Sequence, residues 1–148
     1  MAAFVLERFI PDSPETVFDL SLDVDLHLAS QSSRGERAVA GVTSGRLGEG
    51  DQVTWSARHF GIRFRMSSIV FDVDRPHRFR DRQTRGPFAS FAHTHEFLPA
   101  DGGTLMRDTI EFRSPFGPLG RLVDVLFMRR HLIAVITERN DAISARFS

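Results

Sequence analysis

Two short stretches of the chain set groups able to move protons among phenylalanines. In Phe91–Phe97, period-two alternation places Phe91, His93, His95 and Phe97 on one side, with Ala92, Thr94 and Glu96 on the other. In Met106–Phe112 the apolar side carries Met106, Asp108, Ile110 and Phe112, and the opposite side Arg107, Thr109 and Glu111. A third stretch puts Phe79, Asp81 and Gln83 on one face against Arg78, Arg80 and Arg82. The apolar members mark the inner face each time. Two His and two Asp therefore lie inside, on strands expected to be neighbours. A two-residue turn at Asp101-Gly102 sets His95 opposite Asp108, His93 opposite Ile110 and Phe97 opposite Met106. Directly opposite Cβ atoms stand about 5 Å apart, within reach of a carboxylate–imidazole hydrogen bond.

Several chemistries are open to this pattern. His95 and Asp108 can satisfy each other in the interior and do nothing more. They can form the polar end of a pocket, fixing a hydroxyl or carbonyl while aromatic side chains hold an apolar body. Or Asp108 can orient His95 as a general base for proton abstraction, aldol cyclisation or dehydration. The candidate ligand-binding set is Trp55, Phe64, Phe79, Asp81, Phe91, His93, His95, Met106 and Asp108, with His95 and Asp108 as the candidate catalytic pair. His-x-His with Asp108 or Asp81 has a spacing that zinc sites use, but a bare His-x-His often arises by chance and no metal is assigned. Three further features read as structural first: His59 as a hairpin-tip residue, with a gate residue as the alternative; His27 as a surface residue of a short helix, with a cap over the cavity mouth as the alternative; and Trp55 as core or pocket wall.

Composition removes other chemistries. The chain has no Cys and no Tyr, and its 19 basic residues are all Arg. Thiol nucleophiles, Lys Schiff bases and Tyr acids are thus excluded. Gly45-Arg46-Leu47-Gly48-Glu49-Gly50 has the wrong order for a phosphate loop and reads as a hairpin; nothing specifies a nicotinamide, flavin or nucleotide cofactor. The net charge is zero, which gives no global reason to expect nucleic acid. Arg63, Arg65, Arg78, Arg80 and Arg82 form an outer stripe that could serve an interaction scaffold. With no aromatic expected among them, the stripe reads as a solvated face. No apolar run is long enough to span a bilayer, and the first residues do not read as a signal peptide. A cytoplasmic, bacterial-type protein is expected, monomeric or homodimeric. Its 148 residues fit one domain, 1–148.

The elements that must position the inner polar groups follow from caps, turns and periodicity. A first strand over Phe4–Ile10 leads through Pro11-Asp12-Ser13-Pro14 into a short helix, with Ser13 as N-cap. A second short helix starts behind Asp23. From Ala38 to Arg113 the text is strands and turns. Ile62, Phe64 and Met66 share a face, and after Ser67-Ser68 the apolar phase passes to Ile69, Phe71 and Val73, which predicts a bulge. From Leu119 the residues Leu119, Leu122, Val123, Leu126, Ile133 and Ile136 recur at helical spacing. A helix to about Ala145 would lie across the concave side of the sheet with this stripe buried. The class is α+β, a helix-grip fold: a curved antiparallel sheet of six to seven strands round a long C-terminal helix, with two short helices after the first strand.

That order, together with local text, resembles the START/polyketide-cyclase (SRPBCC) superfamily. Glu15-Thr16-Val17-Phe18-Asp19-Leu20 is similar to its opening helix, although the entry here is Asp-Ser-Pro. Gly50-Asp51-Gln52-Val53-Thr54-Trp55, Gly86-Pro87-Phe88, His93-Thr94-His95-Glu96-Phe97, Gly103-Thr104-Leu105-Met106-Arg107-Asp108 and Pro115-Phe116-Gly117-Pro118-Leu119-Gly120 resemble a bacterial, cyclase/dehydratase-like branch. The resemblance covers nearly the whole chain. It implies a small hydrophobic ligand, lipid- or aromatic polyketide-like, held between sheet and C-terminal helix. Relatives range from lipid carriers to aromatase/cyclases, so it leaves carrier and enzyme both open.

Overall fold

Local signals start the two early helices. Ser13 Oγ accepts the Thr16 N–H at 3.3 Å at the head of α1 (Pro14–Ser21), and Asp23 Oδ1 accepts the Leu26 N–H at 3.0 Å at the head of α2 (Val24–Ser30). Each side chain thereby satisfies a donor that has no partner within its helix. The computed structural model, which describes residues 2–147, follows them with strands up to Arg113. The strands are β1 (Ala2–Ile10), β2 (Arg37–Gly41), β3 (Gln52–His59), β4 (Ile62–Asp74), β5 (Arg78–Arg85), β6 (Ser90–Ala100) and β7 (Gly103–Arg113). All pair antiparallel in one seven-stranded sheet of order β1-β7-β6-β5-β4-β3-β2.

The β6–β7 hairpin sets the register on which the inner polar groups depend. Its turn is Asp101-Gly102, with Gly102 at φ 78°, and it pairs His95 with Asp108, His93 with Ile110 and Phe97 with Met106. Burial along both strands alternates without a break, so one face is wholly interior.

The C-terminal segment runs from Gly117 to Ala145, 29 residues, or roughly 40 Å at 1.5 Å per residue. It comprises α3 (Gly117–Val123), a π-helical turn (Asp124–Met128) and α4 (Arg129–Ala145). The buried stripe of α4 is Leu132, Ile136, Arg139, Asn140 and Ile143. The two early helices pack at one end of α4, and Phe18, Phe79, Phe97, Met106 and Ile143 share one core cluster.

Three expectations need correction. Leu119, Leu122 and Leu126 are more than half exposed, so the N-terminal part of the predicted apolar stripe is not buried against the sheet. The wide π turn holds Leu126 and separates Leu119 and Leu122 from the buried stripe, and it breaks the phase that an unbroken α-helix would keep. In β4 the inner face continues through Phe64, Met66, Ser68 and Val70, all on the cavity wall, despite the register shift at Ser67/Ser68. The crossover comes later, at Asp72 with φ 54°, after which Val73 packs on the core. Phe71 thus lies on the outer face, 5.0 and 5.8 Å beneath the Arg80 and Arg82 guanidinium carbons, where no aromatic was expected. Finally, residues 42–51 form a connection rather than a tight hairpin: Gly45 and Leu47 hydrogen-bond back to Val24 and Leu22.

Candidate functional site

Sheet and C-terminal segment do not close on one another completely. Between them lies a cavity of about 460 Å³, walled by Val53, Trp55, Ala57, Phe64, Met66, Val70, Phe79 and Phe91 from the sheet, and by Leu132, Val135 and Ile136 from α4. Its surface is overwhelmingly apolar. Against this background four polar side chains converge on one stretch of wall: Asp81, His93, His95 and Arg139.

Strand alternation brings three of them together. β5 lies beside β6 with Asp81 opposite His93 and Phe79 opposite His95. The two imidazoles, two residues apart on β6, stack at 3.6 Å between centroids, and Phe79 covers the far side of His95 at 4.0 Å. Arg139 comes from the buried stripe of α4 and is 4% exposed.

The hydrogen bonds assign the protons. Arg139 Nη1 donates to His95 Nδ1 at 3.3 Å. His95 therefore carries its proton on Nε2 and donates it to Asp81 Oδ2 at 2.6 Å. His93 donates from Nε2 to Asp108 Oδ1 at 2.7 Å. Asp108 also accepts from Arg139 Nη2 at 2.6 Å and Asn140 Nδ2 at 3.1 Å. It is fully buried, and three donors, one of them the Arg139 guanidinium, offset its desolvation.

The titration behaviour follows. Burial pushes the Asp108 carboxyl up, but Arg139 and the histidines outweigh it and hold the pKa well below the usual carboxylate range. Asp81 is likewise lowered: burial opposes, and the His95 hydrogen bond with its neighbours' charges wins. Burial, then the adjacent His93, pushes His95 down to about 4 against the pull of Asp81. The site at neutral pH is thus a neutral His95 between an ionised Asp81 and the Arg139–Asp108 ion pair.

This geometry gives His95 a hydrogen-bonded carboxylate other than the one expected. His95 and Asp108 are opposite each other in the sheet, yet the nearest approach, Nδ1 to Oδ1, is 3.5 Å, and Arg139 occupies that nitrogen. Asp108 serves His93 and Arg139, while the carboxylate hydrogen-bonded to His95 is Asp81. Nor do Asp108 and Met106 lie on the cavity wall; both are fully buried behind it. Trp55, Phe64, Phe79, Asp81, Phe91, His93 and His95 do lie on the wall. Asp81, His93 and His95 are also the residues whose ligand atoms could hold a metal, all within 4.8 Å of one another. In this arrangement Asp81 is hydrogen-bonded to His95, and His93 to Asp108.

Several wall residues carried either no sequence expectation or a structural one in first place. Arg139 was one; its signal is a lone charge at the spacing of Ile136 and Ile143. His27, expected at the surface, stacks on Trp55 at 4.2 Å and bonds Glu36 at 2.6 Å, and lines the cavity. His59, expected as a turn residue, pairs its Nδ1 with His131 Nε2 at 2.8 Å, joining the end of β3 to α4 across the cavity. Burial, then His59, pushes His131 down to about 4. Burial and Arg34 lower His59 as well.

Solved structures with this architecture come from distant organisms. A protein of Thermus thermophilus, TTHA0849, superposes with a TM-score of 0.77 at 23% identity, over 99% of this chain and 100% of its own. Protein CV1439 of Chromobacterium violaceum gives 0.67 at 16%, covering 98% and 96%. The ginseng major latex-like protein 151 of Panax ginseng gives 0.68 at 12%, covering 99% and 97%. At such identities the likeness speaks for the fold alone. No curated protein sequence matches the chain. A sequence model described as polyketide cyclase / dehydrase and lipid transport matches residues 1–148. Strand order, long C-terminal helix and full-length match agree, and the chain belongs to the polyketide cyclase/dehydrase and lipid transport family.

Proposed function

We propose that the protein binds a small, largely apolar molecule, lipid- or aromatic polyketide-like, in the cavity between the sheet and α4. One observation carries this reading: an overwhelmingly apolar cavity of about 460 Å³ has Asp81, His93, His95 and Arg139 clustered on one stretch of its wall. That distribution suits a ligand with a hydrophobic body and one polar end. The polar end meets Asp81 and the imidazole edges of His93 and His95. Arg139 beside them and Asp108 behind them hold the rings in one tautomer and orientation. Native mass spectrometry of the protein purified from its own host, followed by denaturation to identify what is released, tests the reading directly. A co-purifying apolar compound supports it. An empty protein whose melting temperature ignores a broad lipid and aromatic polyketide panel sinks it.

A second reading, a cyclase or dehydratase, is favoured by the position of the Asp81–His95 pair on the wall itself. There Asp81 is the ionised acceptor and His95 the neutral group hydrogen-bonded to it. The two readings separate on one substitution. In a carrier His95→Ala changes affinity only, whereas in an enzyme it lowers turnover by roughly 10²-fold or more.

A further inference from the structure

The mouth of the cavity is ringed by apolar side chains that the fold leaves in the open. Phe60 and Ile62 on the β3–β4 turn are 61% and 59% exposed; Phe116 and Leu119 at the start of the C-terminal segment are 80% and 63% exposed. Leu122, Val125, Leu126 and Phe127 continue the surface, each more than half exposed. Phe60, Phe116 and Leu119 also line the cavity, so patch and entrance are continuous. The two sides of the rim meet where Phe60 packs on His131 at 4.4 Å between centroids. Phe60 and Phe116 both sit at positive φ, 54° and 74°, a backbone region that aromatic residues rarely occupy. Patches of this size on soluble domains mark interaction sites rather than idle surface.

Charge identifies what meets it. From Arg113 to Arg130 the exposed charged residues are Arg113, Arg121, Arg129 and Arg130. The acidic residue of that stretch, Asp124, is buried and accepts hydrogen bonds from the Ser114 amide and hydroxyl. Across the mouth, Arg58 and Arg63 flank Phe60 and Ile62 in sequence but turn their guanidinium groups to Gly35, so the charge of the rim lies on the C-terminal segment. The chain as a whole is neutral, so this basic rim is a local feature. A second copy of the same face would oppose Arg to Arg. An anionic lipid surface complements both properties at once: it takes up the apolar side chains and pairs with the arginines.

We propose that this rim is a docking surface for an anionic bilayer, which the protein meets with its cavity mouth turned toward the lipid. The apolar residues of α3 and the π turn enter the headgroup–acyl boundary, and Arg121, Arg129 and Arg130 pair with lipid phosphates. Docking of this kind does not depend on what occupies the cavity.

Co-sedimentation with vesicles of phosphatidylcholine, with and without phosphatidylserine, tests it on the protein as purified. Binding is expected to vesicles containing phosphatidylserine and to weaken as salt rises. The Leu126→Asp/Phe127→Asp variant alters two exposed side chains outside the cavity wall, so it keeps its melting temperature. Together with the charge reversal Arg129→Glu/Arg130→Glu, it is expected to lose roughly tenfold or more of the vesicle affinity. Absence of binding to the anionic vesicles overturns the proposal, as does equal binding by the folded variants. A concentration-dependent dimer that the Leu126→Asp/Phe127→Asp change dissolves, with vesicles left unbound, assigns the rim to a second copy instead.

Discussion

At the scale of single residues, Asp108 organises the polar cluster without touching the cavity. It gathers His93, Arg139 and Asn140, and without it the buried Arg139 cation loses its hydrogen-bonded carboxylate. Asp108→Ala is expected to destabilise by about 3–5 kcal/mol, measured by urea denaturation; a loss below about 1 kcal/mol contradicts this account. Acid acts on the neighbouring imidazoles. His95 and His131 are held down to about 4 from an ordinary 6.5, so the unfolded chain takes up protons before the folded one does. Stability is therefore expected to be flat above pH 6.5 and to fall progressively between 6.5 and about 4. His131→Gln should flatten part of that fall, as read from melting curves across the range. The inward placing of Asp81, His93, His95 and Asp108 was legible from alternation alone. Their hydrogen-bond partners were not, because the assignment depends on Arg139, which arrives from an element far away in sequence. A strand pattern gives which side a group takes, and only packing gives which neighbour it reaches.

At the scale of elements, the junction between β7 and α3 is tightly defined. A Cβ built on Gly120 would come within 2.1 Å of the Pro115 carbonyl oxygen, so the helix can fold back over the strand end only without a side chain there. Gly120→Ala is expected to cost about 1–3 kcal/mol, by the logic of overpacking a closed contact. A calorimetric melt checks it, and an unchanged melting temperature contradicts it. The β6–β7 hairpin was readable because both strands alternate strictly and the Asp-Gly turn permits one register. The C-terminal helix was readable in extent and misread in orientation. Leu119 and Leu122 keep helical spacing with Ile133 and Ile136, but the π turn between them, which holds Leu126, rotates one half against the other. Periodicity over such a span cannot register one wide turn. The same blindness moved the β4 crossover to Ser67-Ser68, where the apolar letters change phase, when the backbone makes it at Asp72.

At the scale of the whole molecule, the helix-grip architecture and the presence of an enclosed apolar space followed from element order. The volume and the mouth did not, since both depend on how far α4 stands off the sheet. Val135 faces the cavity from α4, and its carbonyl, accepting from Gln31 at 3.1 Å, is unaffected by its side chain. Val135→Trp is expected to fill much of the space and abolish uptake of an environment-sensitive apolar dye, with the cooperative melt retained. Undiminished dye fluorescence in a folded variant would place uptake elsewhere on the surface. The π turn has a last consequence, seen in terms of descent rather than of folding. It divides one continuous helix into a half answerable to the interior and a half answerable to the outside. Substitutions at the exposed Leu122, Val125, Leu126 and Phe127 can accumulate in a lineage without disturbing the Asp108 cluster, and changes to Arg139 or Ile143 leave those positions untouched. One chain can thus acquire a new point of entry while inheriting its chamber unchanged.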